Sequence, residues 1–374
     1  MSKYIRGIKK HKLDILGMLR NRALIELRYM NITNTESPKD IFLVINSICN
    51  LKCKMCDVGQ KNIKSQFYRN MITDDKLNIS DIKNILISTD ISSKLYIVGS
   101  EPLLSNDFLE ICKEIKKEKR FLSVTTNGYF LEKFAESFVD LGIEQIIVSI
   151  DGDEYTHDEI RGVKGSYSKA INGLKLLNKI KEEKNSIYPN IRINSTISND
   201  NYWLLERFFL NLSKEIFFNE LSFSHMNYVT KDMANLHNKL FGEFCNATES
   251  SVAVFDPAQI EAEDLWKQIQ KIEQYNDNRV SFTPNLYSEE DVYNYYKLPS
   301  KIISKNKCIV PWNSIQIQAN GNVIFLARCF DYVLGNIRET PLKEIWNGDK
   351  AKIFRKTIKK VGMFPACTRC CGVL

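Results

Sequence analysis

The chain has 374 residues, 44% hydrophobic and 26% charged, with ten cysteines, four histidines and a net charge of +7. That describes an ordinary globular protein of two or three domains, or one large α/β domain with an appendage, which needs no disulfide staples. No apolar run is long enough to span a membrane and no secretory signal opens the chain, so the expected location is the cytoplasm.

Residues 1–30 hold eight Lys/Arg against two Asp/Glu, so they carry +6 of the +7. The remainder is nearly neutral and offers no broad basic surface for nucleic acid. The spacing of Ile5, Ile8, Leu13, Leu16, Leu19, Leu24 and Leu27 predicts a basic amphipathic helix. It reads either as a helix docked on the body or as a contact through residues 1–30 with a membrane surface or acidic partner.

From residue 41 strands and helices alternate. "IFLVIN" (41–46), "KLYIVGS" (94–100), "FLSVTTNG" (121–128), "EQIIVSID" (144–151), "NIRINSTI" (190–197) and "ELSFSHM" (220–226) read as strands separated by helical segments. Apolar strands joined by helices imply a parallel sheet with right-handed crossovers. The predicted class is therefore α/β: a partial, TIM-like (β/α)6 barrel, with its chemistry at the C-terminal strand ends. Four parts follow: an N-terminal extension (1–40), the barrel (41–230), a helical linker (231–307), and a cysteine-rich tail (308–374). The tail opens with a hairpin around Asn320-Gly321, the strongest short hairpin signal, and continues with two short helices.

Three cysteines, Cys49, Cys53 and Cys56, fall within eight positions on the loop after the first strand. A structural zinc site wants four Cys or His ligands, and His11 and His157 do not stand at ligand spacing. A [4Fe–4S] cluster held by three thiolates leaves one iron open to a cofactor or substrate. Lys52 and Lys54 flank the thiols and should favour thiolates.

This spacing on this loop resembles the radical S-adenosylmethionine (SAM) superfamily. The resemblance, over about residues 41–226, implies an enzyme whose open iron is chelated by SAM. One electron then cleaves SAM to a 5′-deoxyadenosyl radical that abstracts hydrogen from substrate. It also implies an electron donor of the flavodoxin or reductase type. Met55 resembles the residue beside the adenine. "GSEP" (99–102) resembles the family's Gly-Gly-Glu-Pro, so Gly99, Ser100 and Glu101 are expected to receive the methionyl ammonium, with Ser100 replacing a glycine. Asn127 ends the third strand. Ser149 and Asp151 resemble the polar pair near the ribose and carboxylate, and Arg161 the arginine that pairs with the carboxylate. Thr196 ends strand five, where the adenine usually lies.

Cys308, Cys329, Cys367, Cys370 and Cys371 with "VLGNIRETPLKEIWNG" (333–348) resemble the auxiliary-cluster region called SPASM or, in shorter form, twitch. The resemblance implies one auxiliary [4Fe–4S] cluster on Cys308, Cys329, Cys367 and Cys370, with Cys371 as the alternative to Cys370. Related sequences place the second cysteine nearer the hairpin glycine, where Leu326 stands here. A zinc ribbon is the alternative.

Cys112 reads as a buried apolar residue, and Cys245 as buried or a hydrogen-atom donor. His225, Asn227 and Tyr228 are placed at the barrel mouth, His225 being the candidate to face substrate. The favoured substrate is a small polar metabolite, sugar- or aminocyclitol-like, to be oxidised or epimerised. This choice rests on the short stretch before strand one. The alternatives are a peptide or protein substrate and, third, a two-cluster electron carrier without catalysis.

Overall fold

The structure is a computed structural model that describes Tyr29 and residues 36–303, 308–325 and 330–370. The predicted basic helix, apart from Tyr29, lies outside the described residues, as do Cys329 and Cys371.

The six predicted strands are present as β1 (Asp40–Val44), β2 (Lys94–Val98), β3 (Leu122–Thr126), β4 (Gln145–Ser149), β5 (Asn190–Ile197) and β6 (Glu220–His225). Each pairs in parallel with the next. Between them run α1 (Gln66–Met71), α2 (Ile79–Ile87), α3 (Phe108–Lys117), α4 (Leu131–Asp140), α5 (Glu154–Arg161), α6 (Ser166–Glu183) and α7 (Leu205–Glu215). Their apolar stripes cover one face of the sheet: Phe108 of α3 meets Phe134 and Phe138 of α4 edge-on.

The other face is different. Along β5, Ile191, Ile193, Ser195 and Ile197 are buried, while Asn190, Arg192, Asn194 and Thr196 are half-buried. A parallel sheet covered on both faces would be apolar at every position. Here alternate positions are polar and bond across strands, Ser123 Oγ to Gln145 Oε1 at 3.1 Å and Ser224 Oγ to Asn194 Oδ1 at 2.7 Å. The half-buried polar face is thus turned away from the helices, and the helix-covered face is the core.

The sheet is wider than the sequence predicts. The linker forms the predicted helices α8 (Lys231–Phe241), α9 (Ala262–Gln274) and α10 (Glu289–Lys297), but also β7 (Val280–Thr283), which pairs in parallel with β6. β7, Val280-Ser281-Phe282-Thr283, alternates over only four residues, too short for a periodicity signal. The tail hairpin forms around Asn320-Gly321 as β8 (Ser314–Ile317) and β9 (Asn322–Ile324), after the short helix α11 (Val310–Asn313). β8 runs parallel to β1, and β10 (Val333–Asn336) adds antiparallel to β9. Among the described residues one ten-stranded sheet results, ordered β10-β9-β8-β1-β2-β3-β4-β5-β6-β7. Linker and tail therefore extend the barrel's sheet at both edges. α12 (Leu342–Asn347) and α13 (Asp349–Val361) close the tail over Trp312 and Trp346, both fully buried.

Candidate active site

The loop carrying Cys49, Cys53 and Cys56 leaves β1 at the C-terminal edge of the sheet. Cys49 is exposed, Cys56 half-buried and Cys53 buried. Three attachments hold the loop. Lys52 N donates to Arg161 O at 3.0 Å and Lys54 N to Ile160 O at 2.9 Å, so the loop hangs on the last turn of α5. That turn ends at Gly162, φ +68°, where a Cβ would lie 2.8 Å from Lys52 O. Glycine there both terminates the helix and lets the loop approach. The third attachment is Asp57, completely buried directly after Cys56. Its carboxylate accepts from Ser65 Oγ and Ser250 Oγ, both at 2.7 Å, from Asn62 Nδ2 at 3.1 Å, and from Ser251 N at 3.0 Å.

The strand-end groups form a connected set around this loop. Gly99 (φ +108°) follows β2, and a Cβ on it would lie 2.8 Å from Val44 Cγ1, so glycine is required. Ser100 is not among the positive-φ residues, so serine costs nothing in its place. Glu101 is fully buried. It accepts from Leu103 N at 3.1 Å and Thr126 Oγ1 at 2.7 Å on one oxygen, and from Asn127 N at 2.8 Å on the other. Burial lifts its carboxyl to about 7, against these hydrogen bonds. Asn127 donates its amide to Asn50 Oδ1 at 2.9 Å and comes within 4.0 Å of Cys49 Sγ.

Asp151 Oδ1 accepts from Thr196 N at 2.8 Å, and Oδ2 pairs with Arg161 Nη2 at 2.6 Å. Arg161 Nη1 also reaches Cys53 Sγ at 3.7 Å. Arg161 thus ties the loop to the ends of β4 and β5. The cation that acts on the thiols is Arg161, not the flanking lysines. Lys52 is exposed and Lys54 pairs with Asp200 at 3.4 Å. The expectation that these lysines favour thiolates is corrected accordingly. Burial pushes Cys53 up to about 12 although Arg161 opposes it, and burial also raises Cys49. Met55 is buried beneath the loop, and Ser149 and Thr196 are half-buried at their strand ends.

His225, at the end of β6, is buried. Its Nδ1 lies 2.8 Å from Tyr296 Oη, a partner on α10 that sequence reasoning missed. Burial lowers its pKa to about 3, so the imidazole is neutral. Tyr228 is also buried and donates to Tyr295 O at 2.7 Å, in the wall rather than at an open mouth. Cys245 is elsewhere. Its Sγ lies 3.6 Å from His237 Nε2, and His237 stacks on Phe330 and meets Phe364 edge-on. This places the thiol between α8 and the tail. Cys112 is fully buried on α3, as predicted.

In the tail, Cys367 is buried, while Cys308 and Cys370 are half-buried. Cys367 closes a 3₁₀ turn (Pro365–Cys367), and Cys370 N donates back to Cys367 O at 3.0 Å. Among the described residues no three His, Cys, Asp or Glu side chains converge on a position for a single metal ion. A cubane asks for something else, since each of its ligand sulfurs binds a different iron.

The radical SAM superfamily model matches residues 43–191, and SPASM, an iron–sulfur cluster-binding domain, matches residues 308–371. The chain thus carries a radical SAM domain and a SPASM iron–sulfur domain. The chain shares 36% identity over 110 residues with a probable GTP 3′,8-cyclase of Methanococcus maripaludis, covering 29% of this chain and 35% of that one. It shares 29% over 128 residues with an Fe-coproporphyrin III synthase of Methanosarcina barkeri, covering 34% and 30%. The chain thus spans about a third of the length of these curated relatives. Among solved structures, Streptococcus suis SuiB bound to precursor peptide SuiA superposes with a TM-score of 0.58 at 15% identity, covering 97% of this chain and 78% of that one. Native anSMEcpe with bound AdoMet gives 0.58 at 17% identity, covering 85% and 82%. At these identities the likeness shows the fold.

A radical SAM enzyme cleaves SAM to a 5′-deoxyadenosyl radical that takes hydrogen from substrate. The residues present fit the cofactor. Ser100 Oγ and His225 Nε2 at strand ends, and Arg161 Nε on the last turn of α5, are buried polar atoms without partners. Buried polar atoms are ordinarily paired, so these are free for ligand atoms. Glu101 and Asp151 add buried carboxylates, a charge that would suit an ammonium. Among the described residues no helix is long and apolar enough to cross a membrane.

Proposed function

We propose that this enzyme modifies a peptide or protein, with Cys49, Cys53 and Cys56 holding the [4Fe–4S] cluster that binds SAM. The sequence favours a small polar metabolite. The peptide reading takes precedence because of one observation: SuiB, whose fold covers 97% of this chain, is found with a precursor peptide. The half-buried polar wall of β4, β5 and β6 agrees with it, since an extended backbone needs donors and acceptors along its length.

Within this reading the chain's own residues have distinct tasks. Glu101, with Gly99 and Ser100, receives the SAM ammonium. Arg161 holds the SAM carboxylate with its free Nε edge while Asp151 fixes its other edge. Asn127 orients the loop through Asn50. Met55, Ser149 and Thr196 line the adenosine. His225, kept neutral, offers Nε2 to substrate. Cys308, Cys329, Cys367 and Cys370 hold the auxiliary cluster, and an external reductant of flavodoxin type supplies the electron.

The test is substrate-stimulated 5′-deoxyadenosine formation. Reconstituted enzyme, dithionite and SAM are given either the peptide fraction or the small-metabolite fraction of a cell extract. The peptide fraction is expected to raise 5′-deoxyadenosine at least about tenfold, with a peptide changing mass. Stimulation by the metabolite fraction alone would reverse the reading.

A further inference from the structure

Asp151, completely buried just beyond β4, is gripped through its backbone as well as its carboxylate. The carboxylate accepts from Thr196 N and pairs with Arg161 Nη2. The backbone N–H donates to His157 Nδ1 at 3.2 Å, and the backbone carbonyl accepts from Asn201 Nδ2 at 2.8 Å. His157 and Asn201 are themselves fully buried.

His157 stands four residues before Arg161 on α5, so both side chains leave the same face of that helix. A backbone N–H can only donate, so Nδ1 carries no proton and the neutral ring keeps its proton on Nε2. Burial and the Arg161 charge hold the imidazole well below its usual pKa, which keeps Nδ1 an acceptor. Nε2 has no partner, and the ring meets Tyr167 edge-on with centroids 5.8 Å apart. A position that needed only volume would take an apolar ring and leave no buried N–H unpaired.

Asn201 comes from the turn after β5. Its amide also donates to Thr196 O at 2.9 Å, and its Oδ1 accepts from Ser198 N at 2.8 Å. One side chain thus joins the ends of β4 and β5. Neighbouring Asp200 pairs with Lys54 of the cysteine loop at 3.4 Å. α5 in turn supplies the Ile160 and Arg161 carbonyls on which the same loop hangs. Both segments that grip the Asp151 backbone therefore also hold the loop. SAM has to meet the cluster and Arg161 at once, so the place of Arg161 relative to the loop governs how well it binds.

We infer that His157 and Asn201 are positioning residues for SAM. By holding the N–H and the carbonyl of Asp151 they aim its carboxylate and, through it, the Arg161 edge that takes the SAM carboxylate. Both act through Asp151 and touch no ligand. The inference rests on the proposal that Arg161 takes the SAM carboxylate.

The experiment measures SAM affinity of the anaerobically reconstituted holoenzyme by equilibrium dialysis with labelled SAM, beside iron per chain and melting temperature. His157→Phe is expected to weaken SAM binding at least about tenfold with iron at the wild-type level. His157→Asn, which puts Oδ1 where Nδ1 stands, should stay within about threefold of wild type. Asn201→Ala should weaken SAM binding at least about tenfold as well. Wild-type affinity in either His157→Phe or Asn201→Ala overturns the inference. Equal weakening in His157→Phe and His157→Asn also overturns it, because loss of the packed ring then explains both. Should His157→Phe fail to fold or to hold iron, Asn201→Ala decides by the same reading. Arg161→Gln is the reference: wild-type affinity there strikes the Arg161 assignment itself, whereas weak binding there with wild-type affinity in the other variants strikes this inference alone.

Discussion

Glu101→Ala is expected to abolish most SAM cleavage and to lower stability as well. Among the described residues the Glu101 carboxylate alone accepts from three buried donors, Leu103 N, Thr126 Oγ1 and Asn127 N. Leaving such groups unpaired costs about 1–3 kcal/mol each, so a loss of about 3 kcal/mol is expected even after removal of the carboxylate's own burial cost. Glu101→Gln keeps the size but presents an N–H where Asn127 N or Leu103 N needs an acceptor. The pH dependence separates the two effects. Glu101 sits at about 7 against an ordinary 4.5 because burial disfavours its charge. The fold therefore binds a proton that the unfolded chain releases between these values, and stability falls as pH rises from about 4.5 to about 7. The melting temperature of the wild type should drop more across this window than that of Glu101→Gln. In the loaded enzyme the ionised form is the one that holds an ammonium, so SAM affinity should tighten as pH rises through about 7. Parallel melting profiles in the two proteins, with equal 5′-deoxyadenosine yields, would remove Glu101 from the site.

Asp57→Ala is expected to loosen the cysteine loop at its far end. Asp57 joins the segment after Cys56 to Ser250 and Ser251, which also meet the core through the bridge between Val229 and Ser250. Ser251 has φ +61°, a left-handed backbone that costs a non-glycine residue about 1 kcal/mol or more and turns its N–H to the carboxylate. Removing the acceptor strands two hydroxyls, an amide and that N–H, with an expected loss of about 3 kcal/mol or more. Asp57→Asn should fall between, since the serine hydroxyls can rotate but Ser251 N–H cannot. Thermal melting and iron bound per chain read the result. A variant with wild-type melting and full iron would show that the loop stands without this clamp.

The chemistry was legible where it was local. Cys49, Cys53 and Cys56 stand within eight positions on one loop, and Glu101, Asn127, Asp151 and Thr196 each end a strand whose alternation is readable. The contacts that assemble these groups are remote. Asp57 meets Ser250 across 193 positions and Arg161 reaches Cys53 across 108, and nothing in either local pattern announces the partner. The same holds for His225 and Tyr296, 71 positions apart. β7 was missed because the alternation of Val280, Ser281, Phe282 and Thr283 is only four residues long, and β10 because Val333–Asn336 gains its pairing only beside β9. Lys52 and Lys54 misled because adjacency in sequence is not proximity of charge. The lysine heads stand in or near water, whereas Arg161 shares the buried side of Cys53.

The most direct test of the account is iron and 5′-deoxyadenosine measured together. After anaerobic reconstitution the wild type should bind about eight iron and about eight sulfide, and the Cys49→Ala/Cys53→Ala/Cys56→Ala variant about four of each. With dithionite and SAM, 5′-deoxyadenosine should form from the wild type alone. Unchanged iron in the variant, or 5′-deoxyadenosine produced by it, would contradict the assignment of this loop.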